Sequence, residues 1–303
     1  MDIFSELKPV EPERNWRHFK LWCSVRDALK ALPAHFHSDT FIEGINATDV
    51  FTLNSALGAT IENQVVETLN LIRNVWDATG DYGTYVFVRQ PQSFPDVVLK
   101  NLSDENEPPI MGMELIGWYL LAKEGEPSMR FQQTEAACAK ADLIMVVPWT
   151  LNSVISGRPK IYMPYIESAK YVARYRNLHW KKMRGQGKES DIIIPVDASP
   201  YPKKSDATND SPKVDKGGNF GRIARSGIMD DYLRRMQLQP VCGIKAKYWL
   251  EFFKIFHQDA TDAQIVKAFE NLRTKVEAIA GSEQKKSLLN ILNSLELHFQ
   301  SLL

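Results

Sequence analysis

Between residues 85 and 149 the chain carries four runs dense in β-branched, aromatic and other apolar residues, "YVFVRQ", "DVVL", "IMGMELIGWYLLA" and "DLIMVVPW", separated by turn-forming segments. Runs of this kind read as strands, and the last, which follows Asp142, reads as a buried one. Ahead of them, residues 52–78 place Ile61, Val65, Leu69, Ile72 and Val75 or Trp76 on one face at helical spacing, with Asn54 or Ser55 as the cap. Residues 11–32 do the same with Trp16, Phe19, Trp22, Cys23, Val25 and Leu29. "EPSMRFQ" offers a further strand, and "TEAACAKA" a short helix feeding the last one. Helix, meander of strands, helix, strand is a mixed α/β order.

Downstream, residues 196–222 are dense in Pro, Ser, Asp, Asn, Lys and Gly and read as a flexible loop. The remainder reads as helices, with Ile265, Phe269, Leu272 and Val276 forming an apolar stripe. A chain of 303 residues, 44% hydrophobic and 24% charged, is expected to bury a large core as one domain, or as one domain with a helical piece appended. Its apolar runs are far shorter than a membrane span requires. The opening "MDIFSELKPVEPERNW" has no apolar signal region. Cys23, Cys138 and Cys242 are odd in number and scattered, so neither a disulfide framework nor a zinc set is expected. The expectation is a reducing, cytoplasmic compartment.

Basic and acidic residues balance at 37 each, which excludes a global basic field, so contact with nucleic acid requires a local patch. No Gly-x-Ser-x-Gly elbow is present, and the six histidines, His18, His35, His37, His179, His257 and His298, show no metal-binding pattern.

Two acids draw attention. Asp96 leads "DVVL" and Glu114 sits within "GMELIGWYLL", with the loop "NLSDENEPP" between their strands. If the strands pair, the two carboxylates meet. Hydrolysis of a phosphodiester with a divalent metal needs such fixed hard-oxygen ligands, because Mg²⁺ prefers near-octahedral oxygen coordination and retains several waters.

"FPDVVL" followed by "GMELIGWYLL" resembles the PD-(D/E)xK nuclease superfamily, whose motif is a Pro-Asp on one strand and an acid-x-Lys on the next. "ELIGWYLLAKEGEPSMRF", "VVPWTLNSVISG" and "YIESAKYVARYRN" extend the resemblance to proteins of restriction-endonuclease type, over most of residues 50–230. The resemblance implies a restriction-endonuclease-like core: a central mixed β-sheet flanked by helices in residues 1–230, with a helical C-terminal region, 231–303, packed on the same domain. It implies Asp96 and Glu114 as Mg²⁺ ligands. Glu62, in "GATIENQVVE", would be an auxiliary ligand or an acid supporting the ligands from behind.

The motif breaks at one position: Ile116 stands where the family has its catalytic lysine. That ammonium would assist the attacking water and stabilise the charge developing on the phosphate; an isoleucine does neither and instead continues an apolar strand. Three explanations compete. The cation has moved to Lys123, Lys100 or Lys160; the protein is a naturally inactive binder; or Ile116 was made or selected to abolish a toxic cleavage. The last is favoured because the surroundings of position 116 keep the active motif.

Residues 170–188 gather Lys170, Arg174, Arg176, Lys181, Lys182, Arg184 and Lys188 without an acid, interleaved with Tyr171, Tyr175, His179 and Trp180. Such a segment can neutralise phosphates and read guanine edges, and Arg174 and Arg176 are the expected sequence readers. The loop 213–227 adds Lys213, Lys216, Arg222 and Arg225 beside Gly217, Gly218 and Gly221. It lacks the Gly-Lys-Ser/Thr ending of a nucleotide P-loop. The expected function is therefore a Mg²⁺-dependent, site-specific endonuclease of double-stranded DNA, a homodimer whose two-fold axis mirrors a palindromic site, weak or inactive because of Ile116. An inactive DNA-binding protein of nuclease fold is the alternative, and a repair or RNA nuclease a third reading.

Overall fold

The computed structural model describes residues 7–90, 93–255, 260–278 and 282–300; His257 lies outside them, as do the first six residues of the chain. Helix α1 (Phe19–His35) buries Leu21, Trp22, Val25, Ala28, Leu29 and Leu32. A 3-10 turn (Ala47–Thr52) leads into α2 (Leu53–Leu71), followed by the short α3 (Arg73–Trp76). Helix α2 buries Ile61, Val65 and Leu69 as its spacing predicts, whereas Val75 is exposed and Trp76 takes the inward position. Neither Asn54 nor Ser55 caps α2: the cap position is Thr52, with no side-chain bond.

Six strands form one mixed sheet. β1 (Tyr85–Arg89), β2 (Val97–Asn101) and β3 (Met111–Tyr119) are an antiparallel meander; β4 (Leu143–Leu151) runs parallel to β3; β5 (Pro159–Ile161) and β6 (Tyr165–Ser168) pair antiparallel with β4. All nine residues of β4 are buried, as expected of a strand covered on both faces. Helix α2 lies against β3 and β1.

Two glycines of β3 mark close approaches, and the second is required. A Cβ at Gly117 of β3 would come within 3.4 Å of the Gly58 carbonyl oxygen, so helix and strand backbones approach closely there, and Glu62 follows one turn later on α2. At Gly112 an added Cβ would lie 2.1 Å from Pro95 Cγ; only glycine lets Pro95 seat on β3, immediately before Asp96.

"EPSMRFQ" forms no strand; Arg130 and Gln133 make only isolated bridges, to Arg222 and Asn209. "TEAACAKA" forms a 3-10 turn (Glu135–Ala137) instead of an α-helix. After β6 come α4 (Ala169–Arg184) and a two-stranded pair, β7 (Ile192–Ile193) with β8 (Ser211–Pro212). The 196–222 segment is pinned along its length: Tyr201 Oη donates to Asp142 at 3.2 Å, Thr134 N to Thr208 O at 2.6 Å, and Phe131 N to Gly221 O at 2.9 Å. Beyond it lie α5 (Asp230–Gln237), a hairpin of β9 (Pro240–Val241) and β10 (Ile244–Lys245), α6 (Ala246–Ile255), α7 (Asp262–Glu277) and α8 (Ser282–Gln300). The predicted all-helical C-terminal region thus contains a small hairpin. Ile265, Phe269, Leu272 and Val276 are buried on α7, and one continuous cluster of buried side chains extends from Leu21 to Leu292. Among the described residues no helix is long and apolar enough to cross a membrane.

Candidate active site

The β2–β3 pairing is short. It runs only through Val97↔Met113, Val98↔Gly112 and Leu99↔Met111, so β3 continues past Glu114 without β2 beside it. Backbone donors on that freed edge need acceptors. Three side chains provide them in succession: Asp96 Oδ2 accepts from Leu115 N at 3.2 Å, Glu62 Oε1 from Gly117 N at 3.2 Å, and Asn54 Oδ1 from Tyr119 N at 2.7 Å. The fork between β2 and β3 therefore draws Asp96 and Glu62 to the strand that carries Glu114.

Glu62 is further fixed by Arg89, whose Nη2 donates to Oε2 at 2.6 Å while Nη1 holds Asn63 at 2.7 Å. Burial pushes the Glu62 carboxyl above its ordinary range, against the pull of Gly117 N–H and Arg89. Asp96 is pushed up to about 6, first by burial and then by the charge of Glu62. Glu114 rises furthest, to about 8, because its carboxyl end is enclosed and Asp96 lies beside it. Its Oε2 is buried and makes no hydrogen bond. Clustered carboxylates with too little positive charge among them behave in this way.

Glu114 opens onto a cavity of about 280 Å³ walled by Ser93, Phe94 and Gln133 on one side and by the 202–209 segment, with Lys203 and Lys204, on the other. Ile116 lies on the same face of β3 as Glu114, by strand alternation, and packs half-buried against the core. None of the three lysines considered as replacements sits here. Lys100 is on β2 at the end away from Asp96, Lys123 follows the end of β3, and Lys160 pairs with Thr150, roughly 13 Å further along β4 than Val146, the partner of Ile116. Lys203 and Lys204 are the lysines lining the Glu114 cavity, and sequence reasoning missed them because the loop that carries them is remote in the chain.

Among the described residues no group of three or more His, Cys, Asp and Glu side chains converges to hold a metal ion. The donors at the fork nonetheless suit a hard divalent cation: the Asp96 and Glu114 carboxylates are near enough for the charge of Asp96 to act on Glu114, one oxygen of Glu114 is unanswered, and Mg²⁺ fills much of its shell with water. Both oxygens of Glu62 are taken up, one by Arg89 and one by Gly117 N.

The basic segment is divided by α4. Arg176 is 3% exposed and is no surface reader: it pairs with Asp210 and donates to the carbonyls of Phe131 and Gln133 at 2.8 and 3.0 Å. Lys170 Nζ donates to the carbonyls of Glu135 and Cys138, and Arg174 pairs with Glu135 at 2.6 Å. In the following loop Lys216 pairs with Glu189 at 3.3 Å, and Arg222 is half-buried. Lys181 and Lys182 are exposed near the end of α4, and the Arg184 guanidinium lies over the Trp180 ring at 4.5 Å.

No family model, no curated protein and no solved structure matches the chain.

Proposed function

We propose that the chain is a nuclease of the PD-(D/E)xK type, directed at double-stranded DNA, with Mg²⁺ at Asp96 and Glu114 and with hydrolysis crippled at Ile116. The observation that carries this reading is the β2–β3 fork, where Asp96, Glu114 and Glu62 converge on one strand edge and one buried oxygen of Glu114 has no partner. Antiparallel β2 and β3, with the Pro-Asp and the acid on adjacent strands and a glutamate from the preceding helix, is the arrangement that the sequence resemblance implies.

A divalent metal held by this pair would lower the pKa of a bound water and offset charge on the scissile phosphate. The residues of the chain perform the remaining tasks. Asp96 and Glu114 must each release a proton to become ligands, and Arg89 keeps Glu62 oriented at their side. Lys203 and Lys204, which line the Glu114 cavity together with Asp206, bring positive charge toward a bound phosphate. Ile116 offers no ammonium at the water. Acting as a homodimer would let two such sites address both strands of a palindrome.

The alternative, an inactive DNA-binding protein of the same fold, draws on a specific observation. Asp96 and Glu62 already serve β3 as acceptors for orphan amides, and Ile116 already packs on the core, so each of these side chains has structural work without catalysis. Plasmid digestion with and without Mg²⁺, by this chain and by Ile116→Lys, separates the readings. The nuclease reading expects metal-dependent cleavage to appear or rise in the variant; a folded, metal-binding variant that cuts nothing favours the binder.

A further inference from the structure

A cavity of about 380 Å³ opens between the C-terminal half of α4 and the 219–226 turn. Arg176, Arg184, Arg222 and Arg225 line it, and no Asp or Glu does. Two of these arginines are engaged elsewhere, Arg176 by Asp210 and Arg225 by Glu126 at 2.5 Å. Arg184 lies over the Trp180 ring, and neither it nor Arg222 makes an ion pair among the described residues.

Two buried donors here are also unanswered. Trp180 Nε1 and Arg222 Nε make no hydrogen bond. Each of these atoms can only donate, so what is missing at both is an acceptor. The rest of the wall is apolar: Trp180 meets Phe220 edge-on at 5.3 Å between ring centroids, and Met183 and Ile223 complete it.

We propose that this cavity binds a phosphorylated nucleoside, with the phosphate oxygens accepting from the guanidinium groups of Arg222 and Arg184 and the nucleoside lying along the apolar wall. Spare guanidinium charge with no carboxylate in the wall selects an anion, and guanidinium groups on two different elements, Arg184 on α4 and Arg222 in the turn, suit an anion with several oxygens. The volume lies in the range of cavities that hold small organic ligands and exceeds the needs of a bare oxyanion. The nucleotide can be free or a unit of a nucleic acid strand. The inference requires neither metal nor hydrolysis at Asp96 and Glu114, so it and the nuclease reading fail separately.

The full chain, ¹⁵N-labelled and kept in a chelator, provides the test. The Trp180 indole signal, assigned by its loss in Trp180→Phe, is followed during titration with thymidine 5′-monophosphate, inorganic phosphate, thymidine and a short oligonucleotide. The monophosphate should move that signal saturably, inorganic phosphate should bind roughly ten-fold more weakly, and thymidine should have no effect. Arg184→Gln and Arg222→Gln should each weaken nucleotide binding roughly ten-fold, while Asp96→Asn leaves it unchanged. Movement by the oligonucleotide alone also supports the inference and assigns the nucleotide to a strand. The inference is overturned if no phosphate-bearing probe moves the signal, if inorganic phosphate binds as tightly as the nucleotide, or if both arginine variants bind the nucleotide like the parent.

Discussion

At the scale of single residues the account rests on protons at Asp96 and Glu114. Burial holds their carboxyls at about 6 and about 8, above the ordinary carboxylate range near 4, with the Glu62 charge adding to the shift of Asp96 and the Asp96 charge to that of Glu114. Metal must displace those protons, so Mn²⁺ affinity measured by calorimetry should climb as pH rises from about 6 to about 8, by roughly ten-fold per unit at the steepest. The same shifts oppose metal-free stability at high pH. The folded state keeps protons that the unfolded chain has released, so this contribution is complete below about pH 4 and is lost as pH rises through about 8. Urea denaturation in chelator should therefore show stability falling across that window, and Glu114→Gln should flatten the upper part of the fall. Ile116→Lys should raise Mg²⁺-dependent cleavage by about 10² to 10³, the usual scale for one charge-stabilising group. Asp96, Glu114 and the break at Ile116 are legible in the sequence because motif and strand pattern coincide there. Lys203 and Lys204 are not, because nothing in a Pro-, Ser- and Asp-rich loop says which strand end it will lie against.

At the scale of elements, the site exists because β2 leaves β3 early and α2 comes close. Gly112→Ala tests the first condition: its methyl group has no room beside Pro95, so the variant should lose metal binding together with stability. In helix α4 the buried residues are Ala169, Val172, Ala173, Arg176 and Trp180, so Arg176 falls within the apolar stripe, and that spacing is a readable sign that its charge points inward. Its place in a basic run points the other way, toward DNA, and burial overrules it. The Arg176–Asp210 pair ties α4 to the segment that also supplies Asn209 to the Glu114 cavity. Removing one partner of a buried pair strands the other, so Asp210→Ala should cost about 3–5 kcal/mol in urea denaturation. The 3-10 turn at Glu135–Ala137 reads as helix in the sequence because its composition is compatible with either state and tertiary packing decides, whereas the β9–β10 hairpin carries turn signals of its own in Pro240 and Gly243, the latter at positive φ.

At the scale of the whole molecule, charge balances and Lys170, Arg174 and Arg176 of the basic run are engaged internally, while Lys181 and Lys182 are exposed near the end of α4, and Lys203 and Lys204 lie at the carboxylate cavity. Charge reversal of Lys181 and Lys182 should weaken binding to all DNA sequences alike and lower the salt slope by about 1 for each phosphate that is no longer neutralised. Equal binding and an equal slope would mean that this end of α4 is only solvated. The mixed α/β class follows from the order of apolar patterns, since a buried β4 and an amphipathic α2 leave few ways to cover a sheet. The fork does not, because the length over which two strands pair is set by packing and not by either strand's own residues. Whether the fork is a metal site is the central claim, and calorimetric titration of Mn²⁺ at pH 8 into this chain and into a folded Asp96→Ala variant tests it most directly. The account predicts saturable binding that the substitution abolishes; no binding to the parent chain, or equal binding to both, would contradict it.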